Sequence, residues 1–371
     1  MKADALIQSL EQIAPPTLAE SWDQVGLHIG DRSARIKRVL LCIDLTGAVL
    51  AEARSVKADF IIAYHPPLFK PIERLTNDHP KSALAWQAAR AGITVYSPHT
   101  ALDAAPNGLN DFLASLIGTG RVRPILPAKL NAQKHVKLVT FIPESSEDRL
   151  RNALSTIGAG VIGNYEACSF VHAGHGTFRP MPGSQPAVGV PGNLERVHEI
   201  RMEIVVPRHL IEPAVGLLRA VHPYEEPAFD IIELEPAPDT PALAGQGRVL
   251  ELKRVMSFSK IVERLRKGLK QPYLKVHRPA RSGSIRRVGL CAGAGASLIP
   301  EAGDIDVFFT GEVRHHDALD ATSKGIGLIL AGHTQTERCY LPTYRRRILD
   351  LVPESLEVLI SKADKPPLEI V

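Results

Sequence analysis

Side chains that commonly bind metals stand directly after strongly apolar segments at three places in this chain. The segments are DFIIAYHPPLFKP, ITVYSPHTALDAAPNGLND and, much later, IGLILAGHTQTERCYLP. Each apolar run predicts a buried strand, and ligands of open α/β sheets bind outside the carboxyl ends of the strands. Imidazole and carboxylate without thiolate indicate a catalytic zinc, manganese or iron site rather than a structural zinc site. The candidate residues are Tyr64, His65, His99, Asp103, His333 and Glu337.

Each candidate ligand also has a plainer interpretation. His333 and Glu337 are four residues apart and would share one face of a helix. Alternatively, His333 caps that helix and Glu337 pairs with Arg338 or Arg345. The two prolines after His65 push it into an extended conformation, which suits a metal ligand and equally a turn histidine.

The segments around Asp103 and after the strand DVFFT add further candidates. The carboxylate of Asp103 could bridge two metals or cap a helix, and His99 and Asn107 could orient a ligand. The segment TGEVRHHDALD could supply an acid, a base or substrate contacts, or be an ordinary helix N-terminus. Its candidates are His315, His316 and Asp317. The run CAGAGAS resembles a phosphate loop but lacks the P-loop lysine and the full GxGxxG spacing.

Composition predicts a globular protein of the cytoplasm. Hydrophobic residues make up 44% and charged residues 23% of the 371 residues, which is ordinary for such proteins. No apolar run approaches the ~18 residues that span a bilayer, and the acidic N-terminal segment predicts an amphipathic helix rather than a signal peptide. The scattered cysteines favour buried thiols in a reducing compartment; they are Cys42, Cys168, Cys291 and Cys339.

The net charge of +4 hides a strongly basic segment. Residues 253–287 carry twelve Lys or Arg against one acid, Glu263, so the segment is +11 and the rest of the chain about −7. Such a segment could bind phosphates of a nucleotide or nucleic acid. The favoured alternative is a solvated helix face, because apolar residues recur at helical spacing. These residues are Ile261, Val262, Leu265 and Leu269.

The order of predicted elements divides the chain into three parts. Strands alternate with helices over residues 1–127 and again over 247–371, which indicates a mostly parallel sheet covered on both faces. Between them, residues 128–246 have the order β-α-β-β-α-β of a ferredoxin-like α+β domain. The run PILPAKLNAQ and the Pro-rich stretch EPAPDTPAL are predicted connectors. The predicted fold is therefore one discontinuous α/β metal-binding unit of two lobes with an inserted domain.

Several of these segments together resemble one known family. ESWDQVGLHIGD, LLCIDLT, IIAYHPPLFK, YSPHTALDAAPNGLND, CAGAGAS, FFTGEVRHHDALDA and AGHTQTE are similar to the NGG-interacting factor three-like proteins, labelled GTP cyclohydrolase one type two homologues. NYEACSF, GTFRPMPGSQPAVG and HPYEEPAFDIIELE resemble the PII/CutA-like insert of the longer bacterial members. The resemblance implies an α/β fold, a dinuclear metal centre and a homohexamer built as a trimer of dimers.

The resemblance also implies which residues hold the metals. One ion would be bound by His65, Asp103 and Glu337, and a second by His333 and Glu337. Many members have a further histidine directly before His65, where this chain has Tyr64. A neutral phenol with a pKa of ~10 is a poor ligand at neutral pH unless the metal lowers that pKa.

The sequence accordingly predicts a hydrolase that depends on one or two divalent ions of zinc, manganese or iron. Its substrate would be a nucleotide or related phosphorylated heterocycle. The label of the family that the chain resembles suggests the ring opening of GTP as the reaction. A metal lowers the pKa of bound water towards ~7, and His99 or His316 would shuttle the proton. The alternatives are a non-catalytic regulatory or scaffold protein or metal chaperone, and a nucleic-acid-binding protein whose affinity falls steeply with salt.

Overall fold

The computed structural model of the chain describes residues 1–128, 135–163, 165–234, 243–280 and 282–368. The predicted connector EPAPDTPAL lies almost wholly outside the described residues. Of the predicted connector PILPAKLNAQ, residues 124–128 are described, and Leu126–Pro127 form a short strand instead of irregular chain. The chain forms two compact units: Met1–Leu130 together with Pro241–Val371, and Asn131–Thr240. Among the described helices, none is both long and apolar enough to cross a membrane.

The larger unit combines elements from both ends of the chain, and the smaller unit lies between them in sequence. Residues 1–128 form the helices α1 (Ala3–Ile13), α2 (Gly47–Ser55), α3 (Pro80–Arg90), α4 (His99–Ala104) and α5 (Leu109–Ile117), and the strands β1 (Gly26–Ile29), β2 (Arg38–Cys42), β3 (Phe60–Ala63), β4 (Thr94–Ser97), β5 (Gly120–Arg123) and β6 (Leu126–Pro127). The smaller unit contains β7 (His135–Ile142), α6 (Glu147–Ser155), β8 (Ser169–Phe178), β9 (Glu195–Pro207), α7 (Ile211–Val221) and β10 (Phe229–Glu233). Residues 243–368 form the strands β11 (Gly245–Gln246), β12 (Arg248–Met256), β13 (Lys275–His277), β14 (Ile285–Leu290), β15 (Val307–Thr310), β16 (Gly327–Leu330) and β17 (Glu357–Ile360), and the helices α8 (Phe258–Leu269), α9 (His315–Ser323), α10 (His333–Arg338) and α11 (Leu341–Leu349).

Two main sheets form the larger unit, and each takes one strand from the opposite end of the chain. The first has the order β1-β4-β3-β2-β17, and the second has the order β13-β16-β15-β14-β12-β5. The neighbours among β17, β2, β3 and β4 pair in parallel, as do those among β14, β15 and β16. Parallel strands with helices between them produce the mixed α/β fold expected from the alternating sequence pattern.

Apolar runs become the buried strands of this unit because helices cover them on both faces. Every residue of β3, β4 and β15 is buried. Helix α8, in the basic segment, turns one apolar face inwards and leaves its basic residues on the other faces, as the solvated-face interpretation predicts. Its buried residues are Phe258, Ile261, Leu265 and Leu269.

The smaller unit follows the chain order β-α-β-β-α-β. Its sheet has the order β10-β7-β9-β8, and every neighbouring pair is antiparallel. Helices α6 and α7 contribute Leu150, Leu154, Ala214 and Leu218 to a core shared with alternate residues of β7 and β9. The alternation follows from the two-residue repeat of a strand, which turns every second side chain to one face.

The stretch TERCYLPTYRRRIL forms two short helices, because α10 ends at Arg338 and α11 begins at Leu341. Pro342 lies in the first turn of α11, where its missing N–H costs nothing, but it cannot continue a preceding helix. The four cysteines are free thiols, and Cys42 and Cys291 are buried as predicted.

Candidate metal centre and its cavity

His65 follows strand β3 and reaches a glutamate from the far end of the chain. Its Nδ1 donates to Oδ1 of Asp44 at 2.9 Å, and its Nε2 lies 3.4 Å from Oε1 of Glu337. Because Asp44 holds the Nδ1 proton, the lone pair of neutral His65 is on Nε2, the atom that faces Glu337. A carboxylate behind an imidazole fixes its tautomer and orientation in the same way at metal sites.

His333 has the same arrangement at the start of α10. Gly332, at φ +90°, forms the turn from β16 into the helix. Nδ1 of His333 donates to Oε1 of Glu312 at 2.9 Å, and Nε2 lies 3.2 Å from Oε1 of Glu337. The i, i+4 spacing of His333 and Glu337 thus places both side chains on one helix face. Two imidazole Nε2 atoms therefore converge on one carboxylate oxygen.

Glu337 is the buried member of this group, with 4% of the residue exposed. Its other oxygen, Oε2, is buried without a hydrogen-bond partner among the described residues. A buried charged oxygen without a partner is costly and is expected to have one, such as an ion. Donor atoms of His65, His333 and Glu337 all lie within 4.8 Å of one another. The donor set and the orphaned oxygen both fit a bound zinc, manganese or iron ion.

Gly293, in the CAGAGAS loop after β14, lies against this group. A Cβ atom at Gly293 would lie 3.0 Å from Oε1 of Glu337 and 3.2 Å from Nε2 of His333. The residue has φ +60°, a conformation that favours glycine. Three backbone N–H groups of this loop donate to side chains and are not free for a phosphate: those of Ala292, Gly293 and Gly295. Gly293 therefore allows the loop to approach the candidate ligands closely.

The charges of this group stabilise one another. Burial lowers the pKa of His65, but hydrogen bonds with Asp44 and Glu337 outweigh it and raise that pKa to about 10. The hydrogen bond with Glu337 likewise raises the pKa of His333 to about 9, against the effect of burial. Burial raises the pKa of Glu337, but its two histidine partners bring it below the ordinary value. Metal binding must therefore displace protons from both imidazoles.

Asp103 and Tyr64 bind each other instead of joining this group. The Tyr64 hydroxyl donates to Oδ1 of Asp103, and both residues are buried. Burial raises the pKa of Tyr64 well above its ordinary value, so the phenol stays protonated. Burial also raises the pKa of Asp103, to about 7. One oxygen of the predicted ligand Asp103 is thus occupied by a neutral phenol.

His99 is held by an aspartate that motif reasoning did not single out. Its Nδ1 donates to Oδ1 of Asp23 at 2.7 Å, and the backbone N–H of Thr100 donates to Oδ2 at 3.1 Å. The His99 ring lies 5.4 Å from the His65 ring and 6.1 Å from Trp22. His99 therefore stands beside the candidate metal ligands with one nitrogen already bound.

A cavity of about 280 Å³ opens at this group of side chains. Its wall joins both ends of the chain and is lined by Glu20, Trp22, Tyr64, His99, Thr100, Asp103, Leu126, Gln246, Cys291, Ala292, Gly293, Ala294, Gly295, Ser297, Leu298, His333 and Glu337. Among the described residues of the basic segment 253–287, none contributes to this lining. The segment is therefore not positioned to hold a substrate inside the cavity.

Two other predicted site residues do not reach the cavity. His316 is exposed on α9, and its ring lies 5.5 Å from that of its neighbour His315. Asn107 is a turn residue at φ +57° whose carbonyl accepts from the Tyr340 hydroxyl at 3.0 Å. The predicted proton shuttle His316 and the predicted orienting role of Asn107 thus find no support in the geometry.

Three carboxylates that contact the site histidines were not predicted. Asp44 follows β2 and Glu312 follows β15, so both stand at the carboxyl end of a strand, like the candidate ligands. That signal was present in the segments LLCIDLT and FFTGE, but spacing alone does not reveal which histidine each one contacts. Asp23 precedes β1 and carried no such signal.

Comparison with known proteins reveals similarity along the whole chain. A family model described as Duf34/NIF3 (NGG1p interacting factor 3) matches residues 1–367. The chain is 32% identical over 367 residues to a Bacillus subtilis protein named GTP cyclohydrolase 1 type 2 homolog, covering 98% of this chain and 96% of that protein.

Solved structures share the fold over the same length. The crystal structure of a Bacillus cereus protein related to NIF3 has a TM-score of 0.69 and 29% identity, covering 100% of this chain and 99% of that chain. The structure of a Staphylococcus aureus protein has a TM-score of 0.78 and 26% identity, with the same coverage. The similarity therefore includes the two outer segments and the residues between them.

Proposed function

Because the chain belongs to the Duf34/NIF3 (NGG1p interacting factor 3) family, we propose that it is a metal-dependent hydrolase of a small heterocyclic substrate. One observation carries the proposal: Nε2 of His65 and Nε2 of His333 converge on Oε1 of Glu337 at the wall of a cavity. Two imidazoles and one carboxylate are a common protein ligand set of hydrolytic zinc sites. A structural zinc site would instead use four protein ligands, mostly cysteines.

The proposed ion is held by His65, His333 and Glu337. When bound, it supplies Lewis-acid polarisation and generates a nucleophile from water near neutral pH. Asp44 and Glu312 hold the Nδ1 protons of the two histidines and so direct both Nε2 lone pairs to the same place. Gly293 leaves the space that these ligand atoms need.

His99 is proposed as the general base. Asp23 holds the proton on Nδ1, so Nε2 of the neutral imidazole is left as the proton acceptor. The same carboxylate fixes the orientation of the imidazole, as in other aspartate–histidine pairs. His99 lines the cavity, whereas His316 does not.

The cavity favours a flat ring as the reacting part of the substrate. Its volume of about 280 Å³ is at the lower end of ligand pockets, which span about 300–1,000 Å³. Trp22 is 55% exposed at this wall and offers an aromatic face, while Gln246 offers an amide for hydrogen bonds. The guanine ring of GTP, the substrate suggested by the names of relatives, matches this size, and its phosphates would stay outside.

We propose one ion per chain rather than two. The Tyr64 hydroxyl occupies Oδ1 of Asp103, and both residues are buried, so exchanging that partner for a second ion costs a hydrogen bond. Asp103 then supports the site by packing and charge instead of acting as a main ligand.

The proposal is tested with the full chain dialysed against zinc, manganese or iron and incubated with GTP. We expect loss of the intact guanine ring, followed by liquid chromatography, in the wild type and in the exposed-surface control Glu354→Gln. Glu337→Gln removes a ligand charge, and we expect it to abolish turnover. Equal turnover by wild type and Glu337→Gln would contradict the proposed site, and turnover in neither would remove GTP as substrate.

A second candidate is a non-catalytic metal-binding protein with a regulatory, scaffold or metal-chaperone role. The observation that favours it is the protonated Tyr64 beside Asp103, which leaves fewer anionic ligands for a reactive centre. It predicts tight metal binding without turnover on GTP, phosphoesters or cyclic amides. Turnover of any of these substrates above that of Glu337→Gln excludes it.

Assembly and the smaller unit complete the proposal. We propose that the chain assembles into a homohexamer, a trimer of dimers. For residues 131–240 we propose a PII/CutA-like regulatory role, and the β-α-β-β-α-β order of their elements supports this second proposal. Light scattering of the purified chain tests the assembly, since a mass of about six times 40.3 kDa is expected and a monomer would contradict it.

A further inference from the structure

The smaller unit contains a second and larger cavity that the proposed hydrolase does not use. Its volume is about 670 Å³, well within the range of pockets that bind small molecules. The floor is formed by β8 and β9, and the walls are formed by residues 178–188 and 224–228. Most of the lining is apolar or aromatic, which is typical of a ligand site with few polar anchors.

Glu199 on β9 is the most unusual side chain of this cavity. Only 7% of the residue is exposed, yet it lines the cavity and forms no ion pair among the described residues. A buried carboxylate without a cationic partner is costly unless hydrogen-bond donors surround it. Burial raises the pKa of Tyr224 to about 12 and the neighbouring Glu199 adds to that shift, so this phenol keeps its proton beside the carboxylate. The carboxylate of Glu199 can therefore accept hydrogen bonds from a ligand in the cavity.

Two glycines of β8 keep the space beside Glu199 open. A Cβ at Gly176 would lie 2.1 Å from Oε2 of Glu199, so any side chain there would displace the carboxylate from its position. Gly174 pairs directly with Glu199 across the strands and therefore turns to the same face. A Cβ at Gly174 would meet no atom within 4 Å. Glycine weakens a strand interior and often marks close approach of a ligand.

Flat side chains form part of the cavity wall. The Arg201 guanidinium lies 5.8 Å from the centre of the Phe141 ring, and its Nε donates to Glu203 at 2.9 Å. The rings of Phe178 and Tyr224 lie 6.3 Å apart on the wall. Guanidinium planes and aromatic rings are surfaces on which heterocycles stack.

Hydrogen bonds hold the two walls in place without a ligand. His222 donates from Nε2 to the carbonyl of Phe141 at 3.0 Å and accepts at Nδ1 from the backbone N–H of Tyr224 at 3.0 Å. The backbone N–H of Gln185 donates to Oε2 of Glu225 at 2.8 Å, which ties one wall to the other. A pocket whose walls are already ordered loses less entropy when it binds.

We propose that this cavity binds a planar, nitrogen-rich heterocycle that presents two adjacent N–H donors to the carboxylate of Glu199. A guanine-type edge, with a ring N–H beside an exocyclic amino group, matches the two oxygens of a carboxylate. Adenine presents a donor beside an acceptor on the equivalent edge and does not match. The ring would stack against the flat side chains of the wall, and occupancy would make the unit an effector-binding domain.

The probe is guanosine, compared with inosine and adenosine, added to the full chain and followed by calorimetry. Inosine keeps the ring N–H but lacks the amino group, so we expect guanosine to bind about tenfold more tightly than inosine and adenosine to bind weakest. Hydrogen exchange should slow in residues 172–178 and 184–188, which locates the ligand in this cavity. Glu337→Gln, in the larger unit, should leave this binding unchanged even if the proposed hydrolase function fails.

Three variants test the residues. Gly174→Val places a side chain in the cavity without a backbone clash and should abolish the protection of residues 172–178 and 184–188 by guanosine while the protein stays folded. Glu199→Gln replaces one acceptor by a donor, and we expect binding to weaken about tenfold or more. Arg196→Gln, on β9 but on the opposite face, is the control and should bind like the wild type.

Three outcomes would overturn the proposal. In the first, guanosine at millimolar concentration does not protect residues 172–178 and 184–188 from exchange. In the second, it protects them equally in the wild type, Gly174→Val and Glu199→Gln. In the third outcome, Gly174→Val changes the mass in light scattering while no nucleoside binds, which would identify the face as a contact between copies of the chain.

Discussion

Replacing Gly293 by alanine is expected to weaken metal binding far more than it weakens the fold. The new Cβ would lie 3.0 Å from Oε1 of Glu337 and 3.2 Å from Nε2 of His333, so both ligand atoms must shift by a few tenths of an ångström. Metal sites need ligand distances within about 0.2 Å of their preferred values. We therefore expect a loss of metal affinity of about tenfold or more, the size seen when the support of a ligand is disturbed.

The matched control for this variant is Gly325→Ala. Gly325 also has a positive φ, +76°, but a Cβ there would meet no atom within 4 Å. Both alanines must adopt the left-handed conformation, which costs about 1–2 kcal/mol. The two variants should therefore lose similar free energy of unfolding in urea, and only Gly293→Ala should lose metal affinity in competition with a chromophoric chelator. Equal metal affinity of the two variants would refute the close-approach argument.

Three further predictions concern other groups. Asp44→Asn removes the carboxylate behind His65, so metal affinity should fall about 10–100-fold, and an unchanged affinity by chelator competition would count against that role. Tyr64→His replaces the phenol on Asp103 by an imidazole and should raise the metal content from one to two ions per chain by elemental analysis; a constant content would contradict our account of Tyr64. Burial lowers the pKa of His222, so the folded protein resists its protonation and stability should fall as pH drops below about 6.5. Protection factors, which are exchange rates corrected for the intrinsic pH dependence of amide exchange, should fall in residues 222–228 between about pH 7 and pH 5 in the wild type and stay level in His222→Asn. Equal pH dependence of the two proteins would contradict the argument.

Much of the fold could be predicted from the local pattern of the sequence. Alternating apolar strands and helices indicated α/β architecture, and the β-α-β-β-α-β order was readable because each element of residues 135–233 is long and bounded by proline or glycine. The sequence did not predict that β5 joins the sheet formed by the C-terminal strands, or that β17 joins the sheet formed by the N-terminal strands. Such pairing depends on contacts between residues far apart in sequence, which local periodicity does not encode.

Only part of the candidate site could be predicted from the sequence. His65, His333 and Glu337 stand after apolar strands of the two main sheets, and their donor atoms lie within 4.8 Å of one another in the folded chain. The link between Tyr64 and Asp103 could not be anticipated, because it depends on two buried side chains facing each other across the site. His316 follows a strand in the same way as His65, yet the helix that begins there turns it towards solvent.

Metal stoichiometry tests the central claim most directly. The full chain, purified without chelator and dialysed against zinc, manganese or iron, would be measured by elemental analysis beside a variant with His65→Ala, His333→Ala and Glu337→Gln together. The account predicts about one ion per chain in the wild type and none in the variant. No bound ion in the wild type, or equal metal in both proteins, would contradict it.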